Sequence, residues 1–207
     1  MMKRFKMIGI AGFLSVAILT ACAEEDTATE TENDSAEETA EEENVEEEGD
    51  ETAEITEEEV LEFQQSWGEG IVHIGEVYSE DGDYEAAASE HIERFYGYDM
   101  GEVLFKPTLA REDRFRGTFE GALSYFIGGN EEYPEDNGFA IAPWTDVQWE
   151  NEGVIIEGNK AVSMGVYYFT PADGGEPVEV EYSFAFTRSD DGDLKIVLHG
   201  SHYPYSN

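Results

Sequence analysis

Four stretches of strand-like sequence follow one another at the C-terminal end of the chain, at about residues 145–156, 160–170, 178–188 and 194–203, and glycine-bearing turns separate them. The turns are Glu157-Gly158-Asn159, Asp173-Gly174-Gly175 and Asp190-Asp191-Gly192-Asp193, each rich in the residues that reach the positive φ a tight hairpin needs. In the third stretch Val178, Val180, Tyr182, Phe184 and Phe186 alternate with Glu179, Glu181, Ser183 and Thr187. A period of two with such a contrast means a sheet with one apolar and one wet face. Short turns also allow only antiparallel neighbours, so these residues constrain the fold to a meander with one face to cover.

The cover has to come from upstream. Thr56 and Glu59 have capping-box spacing, with Ile55 ahead as a staple residue, and Val60, Phe63, Trp67, Ile71, Ile74 and Tyr78 then recur every three or four residues. Asp83 can cap a second helix over 84–96, with Tyr84, Ala87, Ala88, Ile92 and Phe95 facing inward. Residues 101–108 read as a short strand closed by Pro107, and 114–127 as a third helix with Phe115, Phe119 and Leu123 inward and Gly128-Gly129 at its end. The acidic, proline-containing segment 130–136 reads as a mobile loop over a pocket. Helices segregated from a meander give an α+β domain, three helices packed on a curved antiparallel sheet. Strong twist turns such a sheet into a cone whose mouth admits a small ligand. This arrangement resembles the NTF2-like fold, shared with the association domains of kinases. Such folds pair through the open sheet face, so the resemblance implies a homodimer.

The last strand, L-K-I-V-L-H-G-S-H-Y-P-Y from Leu194, carries chemistry. Strict alternation puts Leu194, Ile196 and Leu198 on one face and Val197, His199 and Ser201 on the other. Among the four histidines of the chain, His199 is the one paired at strand spacing with a second proton-handling group. His73 lies off the stripe of the first helix and reads as a surface residue, His91 reads as core-edge, and His202 should face away from His199. The plain alternative for His199 is a polar residue near a strand end.

The front of the chain has a different character. Lys3, Arg4 and Lys6 precede an apolar run from Met7 to Leu19, the length of a signal-peptide core and short of the roughly 20 residues that span a bilayer. The run ends Leu19-Thr20-Ala21-Cys22, which resembles the lipobox of bacterial lipoproteins. Cys22 is the sole cysteine and cannot form an internal disulfide, so residues 1–21 are expected to be a lipoprotein signal peptide and Cys22 the lipidated residue. The protein would then be exported and anchored in the cell membrane on its extracytoplasmic side. Residues 23–59 hold about twenty acids, no base and almost no large apolar side chain, so 22–58 reads as a disordered acidic tether ahead of a folded domain at 59–207. That domain is itself acidic, within a formal charge of −38 for the whole chain, which excludes polyanionic nucleic acid as a partner.

Several separated stretches point to one family. W-G-E-G-I-V-H-I-G from Trp67, D-Y-E-A-A-A-S-E-H-I from Asp83, G-E-V-L-F-K-P-T from Gly101, A-L-S-Y-F-I-G-G from Ala122, F-A-I-A-P-W-T-D-V from Phe139 and L-H-G-S-H-Y-P-Y from Leu198 together resemble the iota-class carbonic anhydrases. The resemblance covers nearly all of residues 60–205. It implies a pocket built from Thr108 after the first strand, Tyr125 on the third helix, and His199 and Ser201 on the last strand. One departure is visible: the ending L-H-H-S-S-L-P-Y is expected, and Gly200 and His202 stand here in place of its second histidine and second serine.

Hydrating carbon dioxide needs an activated water, donors for the oxygens that gain charge, and a small dry cavity. The zinc route uses a bound water whose pKa has dropped to about 7, commonly held by three histidines. No H-x-H pair is present for it. The expectation is therefore a metal-free site, with no cofactor, in which Thr108, Tyr125 and Ser201 position water and bicarbonate and His199 orients them or moves protons. A divalent cation held by carboxylates is the alternative for the metal. A tethered lipoprotein that binds a small molecule without turnover is the alternative for the function.

Overall fold

The computed structural model describes residues 54–206. In chain order these form α1 (Glu57–Ser79), α2 (Tyr84–Phe95), β1 (Leu104–Lys106), α3 (Phe119–Ile127), β2 (Trp144–Glu157), β3 (Lys160–Pro171), β4 (Val178–Arg188) and β5 (Leu194–His202). The strands make one sheet in the order β1-β5-β4-β3-β2. This is the expected α+β cone, with three helices against the inner face of a long-stranded sheet. The expected signal peptide, Cys22 and most of the expected acidic tether lie outside the described residues.

Local chemistry sets the helix ends. Thr56 and Glu59 form the capping box reciprocally, Asp83 accepts from Ala86 N–H, and Thr118 accepts from Gly121 N–H. Val60, Trp67, Ile71 and Ile74 are buried, while Tyr78, expected inward, is 43 % exposed and packs edge-on against Tyr84. A buried polar cluster also fastens α1 to the sheet. Gln64 donates to Tyr182 Oη (3.0 Å) and Ser163 Oγ (3.3 Å) and accepts from Asn151 Nδ2 (2.8 Å), and Tyr182 donates to Asn151 Oδ1. Asn151 begins the bulge in β2 opposite Gly165, where a Cβ would run into the Glu150 carbonyl. That close approach lets the long β2–β3 pair bend over the core.

Five expectations are corrected. The domain starts before residue 59: Ile55 is buried and its N–H donates to Gly158 O. The strand expected over 101–108 shrinks to Leu104–Lys106 and runs parallel to β5, so the sheet is not wholly antiparallel. The third helix begins at Phe119, not Arg114, because Arg116 N–H is spent on Phe105 O and Thr118 supplies the cap; Phe115 consequently points outward, 64 % exposed. The 130–136 loop is fastened rather than loose: Glu135 accepts from the backbone N–H groups of Arg111, Glu112 and Asp113, and Asp136 pairs with the fully buried Arg116.

The fifth correction concerns β5. Phe186 pairs with Ile196 but Ala185 pairs with Leu198, leaving Val197 as an extra residue. A bulge shifts the alternation by one, so Ile196 joins His199 and Ser201 on the inner face. The outer face carries an apolar row across the whole sheet. Ile155, Val162, Ala185, Leu198 and Leu104 are cross-strand partners in sequence, with Ile155 at 72 % and Leu104 at 61 % exposure.

Candidate active site

Inside the cone, between β1, α3 and β5, lies a cavity of about 110 Å³. A single water needs about 10–15 Å³ of such space, so a small solute and water fit together. Its walls are mostly aromatic, with Trp67, Phe105, Phe126, Phe139, Trp144 and Phe169 among them. Thr108, Tyr125, His199 and Ser201 all line it. Residues far apart in the chain are thus brought to one void.

Each is placed by its neighbours in the fold. Thr108 follows β1, and because β1 lies parallel to β5 its hydroxyl reaches Ser201, donating from Oγ1 to Oγ at 2.9 Å. Lys106 Nζ holds the same place by donating to Ser201 O at 3.0 Å. Tyr125 comes from the last turn of α3, with its ring stacked on Phe139 (centroids 5.6 Å apart) and edge-on to Phe105 (5.7 Å). Burial raises its phenol above the ordinary range, and the Leu109 N–H that binds its oxygen offsets this in part.

His199 is 3 % exposed and sits between the Phe105 ring, stacked at 4.7 Å, and the Phe184 ring, edge-on at 4.4 Å. Desolvation there pushes its pKa down to about 3, so the imidazole is neutral at physiological pH. Both nitrogens are engaged: Nδ1 lies 2.9 Å from Tyr96 Oη, and Nε2 lies 3.2 Å from Tyr167 Oη. The Tyr96 oxygen also accepts from Trp67 Nε1 at 3.2 Å. Tyr167 lines the cavity and has Ser201 as a further hydrogen-bonding neighbour; burial raises its phenol strongly.

Sequence reasoning missed Tyr96 and Tyr167 and treated Trp67 as core. No local signal separates Tyr167 from core, since it pairs with Val180 on the apolar face of β4. The remaining histidines stand apart from the site chemistry. His73 is exposed, and His202 points outward within 3.4 Å of Glu181. His91 is buried more deeply than core-edge: it packs against Trp67, Phe95 and Phe126, and neither ring nitrogen has a hydrogen-bond partner. Gly200 and His202, the two departures from the expected ending, also lie on the outer side. A Cβ at Gly200 would meet nothing within 4 Å, and the His202 side chain is exposed beside Glu181, so both side-chain positions lie away from the pocket face of β5.

A wider vestibule of about 560 Å³ adjoins the cavity and shares Leu109, Tyr125, Phe139 and Trp144 with it. Glu135 and Asp136 also line it. Among the described residues no group of three or more His, Cys, Asp or Glu side chains is arranged to hold a metal ion. The inner site is a set of hydroxyls and one neutral imidazole in an aromatic shell. It can donate and accept hydrogen bonds to a small oxygen-rich molecule, and its geometry favours a fixed array over titration near neutral pH.

Comparison with known proteins agrees with this geometry. The family model described as metal-independent carbonic anhydrase matches residues 58–203. A protein of Nostoc sp. (strain PCC 7120 / SAG 25.82 / UTEX 2576) named metal-independent carbonic anhydrase is 43 % identical over 154 residues, covering 73 % of this chain and 75 % of its own. The crystal structure of the iota-carbonic anhydrase from a cyanobacterium, complexed with bicarbonate, superposes with a TM-score of 0.72 at 40 % identity, covering 74 % of this chain and 95 % of that one.

Proposed function

We propose, from the premise that this chain belongs to the metal-independent carbonic anhydrase family, that it interconverts carbon dioxide and bicarbonate in the cavity between β1, α3 and β5. The observation that carries the reading is the meeting of Thr108, Tyr125, His199 and Ser201 on one small aromatic-walled void. Carbon dioxide is apolar and enters such a space without losing strong hydration, whereas the bicarbonate formed from it needs donors. Ser201 and Tyr125 supply them as neutral hydroxyls, with Thr108 orienting Ser201 through the proton it donates to Oγ, all held in place before the charge develops, so little reorganisation accompanies the reaction. The water is oriented by the same hydroxyls, and its proton leaves with solvent through the vestibule. No residue of the chain has to become charged, in keeping with the neutral state of His199.

A stopped-flow hydration assay tests this. Wild-type protein is expected to hydrate carbon dioxide well above the buffer rate, and Tyr125→Phe, which removes one donor and keeps the ring, to lower kcat/KM by roughly tenfold. Binding of bicarbonate without turnover would leave a ligand-binding protein instead.

The basic start, apolar run and Leu19-Thr20-Ala21-Cys22 sequence support export, lipidation at Cys22 and anchoring on the extracytoplasmic side of the membrane, with the acidic segment as tether. Globomycin is expected to make the precursor accumulate; an unchanged ratio of precursor to mature protein would refute lipidation. The outer apolar row supports a homodimer formed sheet to sheet, since exposed apolar patches of that extent mark interaction surfaces. Light scattering is expected to give a dimer for wild type and a monomer for Val162→Glu, and a monomeric wild type would refute the pairing.

A further inference from the structure

Two phenols and an indole form a chain of hydrogen bonds ending at the cavity, and the donors present fix its direction. The Trp67 indole N–H is a donor with no acceptor function, so in its contact with Tyr96 the phenol oxygen accepts. Tyr96 is 1 % exposed, and among the described residues its oxygen has one other hydrogen-bonding neighbour, His199 Nδ1. Were Nδ1 protonated, the Tyr96 oxygen would accept twice and its own proton would point at nothing in a dry interior. Leaving a buried donor unmet in this way is costly. With Tyr96 donating instead, Nδ1 is bare, and a neutral imidazole then carries its proton on Nε2. That N–H faces the Tyr167 oxygen at 3.2 Å. Tyr167 accepts there, and its own proton is free for Ser201 or for a molecule in the cavity that both residues line.

We propose that Trp67 and Tyr96 fix His199 as its Nε2–H tautomer, and that this makes the Tyr167 hydroxyl a hydrogen-bond donor to the oxygens of bound bicarbonate. Tyr167 is then a catalytic residue, while His199, Tyr96 and Trp67 position it. The chain cannot conduct protons away from the cavity, because it terminates at an indole that accepts none. Its role is to set direction. The aromatic rings on both sides of His199 serve the same end by keeping the imidazole singly protonated. The bicarbonate part of this inference rests on the carbonic anhydrase reading; the tautomer does not.

The test is long-range proton–nitrogen correlation NMR on histidine-labelled protein, joined to a double-mutant cycle in the hydration assay. Wild type is expected to show His199 as the Nε2–H tautomer, and Tyr96→Phe to show both neutral tautomers. Tyr167→Phe and Tyr96→Phe should each lower kcat/KM by about tenfold, the size of one hydrogen bond in a dry site. Their combination should cost no more than Tyr167→Phe alone, because Tyr96 acts through Tyr167. An Nδ1–H tautomer in wild type overturns the proposal whether or not the variants fold, and so do additive losses in the double variant. Wild type with the Nε2–H tautomer and no hydration activity would instead overturn the assigned reaction, leaving the relay in place.

Discussion

Replacing His199 with alanine is expected to lower kcat/KM for carbon dioxide hydration by about 10²-fold and to lower the melting temperature by about 10 °C. The two losses have one origin. The imidazole fills space between Phe105 and Phe184 and satisfies Tyr96 and Tyr167 at once, so its removal leaves a cavity and two buried hydroxyls short of a partner. The same residue sets part of the response to acid. Its pKa is about 3 in the folded protein against an ordinary value of 6.5, so below pH 6.5 the unfolded chain takes up a proton that the native state refuses. Stability from this group is complete above about pH 6.5 and is lost as pH falls toward 3. Urea titrations at a series of pH values are expected to show this acid limb in wild type and a shallower one in the variant. The part that remains belongs to His91, which burial likewise pushes down to about 3, and to Glu59 and Glu135, whose carboxyls are held below the ordinary range by Arg188 and by the Glu112 N–H respectively. An acid limb of equal slope in both proteins would contradict the burial of a neutral His199.

Arg116→Met should be comparably damaging to stability, at about 3–5 kcal/mol, because it strands charge in the interior. The Arg116 side chain is fully buried. It donates to both oxygens of Asp136 (3.0 and 2.6 Å) and to the carbonyls of Asp113 (2.7 Å) and Phe115 (3.1 Å). Ser124 donates to the same carboxylate at 2.8 Å, and that carboxylate side chain is 2 % exposed. Without the guanidinium, Asp136 must stay charged and unpaired or take up a proton. A double variant, Arg116→Met with Asp136→Leu, is expected to recover much of the loss, since an apolar pair of similar volume costs little where a lone buried charge costs much. Thermal denaturation of the three proteins checks this, and equal destabilisation by single and double variants would refute the assignment. The pair joins the segment after β1, which carries Thr108, to the loop after α3, which helps wall the vestibule. Its integrity thus bears on the site as well as on the fold.

What could be read from the sequence follows the range of the interactions involved. The capping box at Thr56, the Asp83 cap and the hairpin turns are contained within a few residues, and the strands they bound were legible for that reason. His199 and Ser201 were legible as a pair because two residues along a strand share a face. Thr108 and Tyr125 carry no local sign of a pocket; their assignment came from likeness to a family, and their convergence is a property of the closed sheet. Tyr96 and Tyr167 could not be told from core aromatics, since their partner His199 is 103 and 32 residues away. The β5 bulge was hidden because no glycine marks Val197. The third helix is five residues shorter than its sequence pattern suggests: Phe115 falls at helical spacing from Phe119, while the bond that prevents helix there comes from β1.

The central claim is that hydroxyl groups held by this fold, without a metal, hydrate carbon dioxide. Its most direct test is oxygen-18 exchange between carbon dioxide and water, followed by mass spectrometry, on protein treated with chelator and shown by elemental analysis to be metal-free. Exchange well above the buffer rate is expected in that protein, with most of it lost in the Thr108→Val/Ser201→Ala variant. Exchange no faster than buffer, or exchange that vanishes with the metal and returns on adding zinc, would contradict the account.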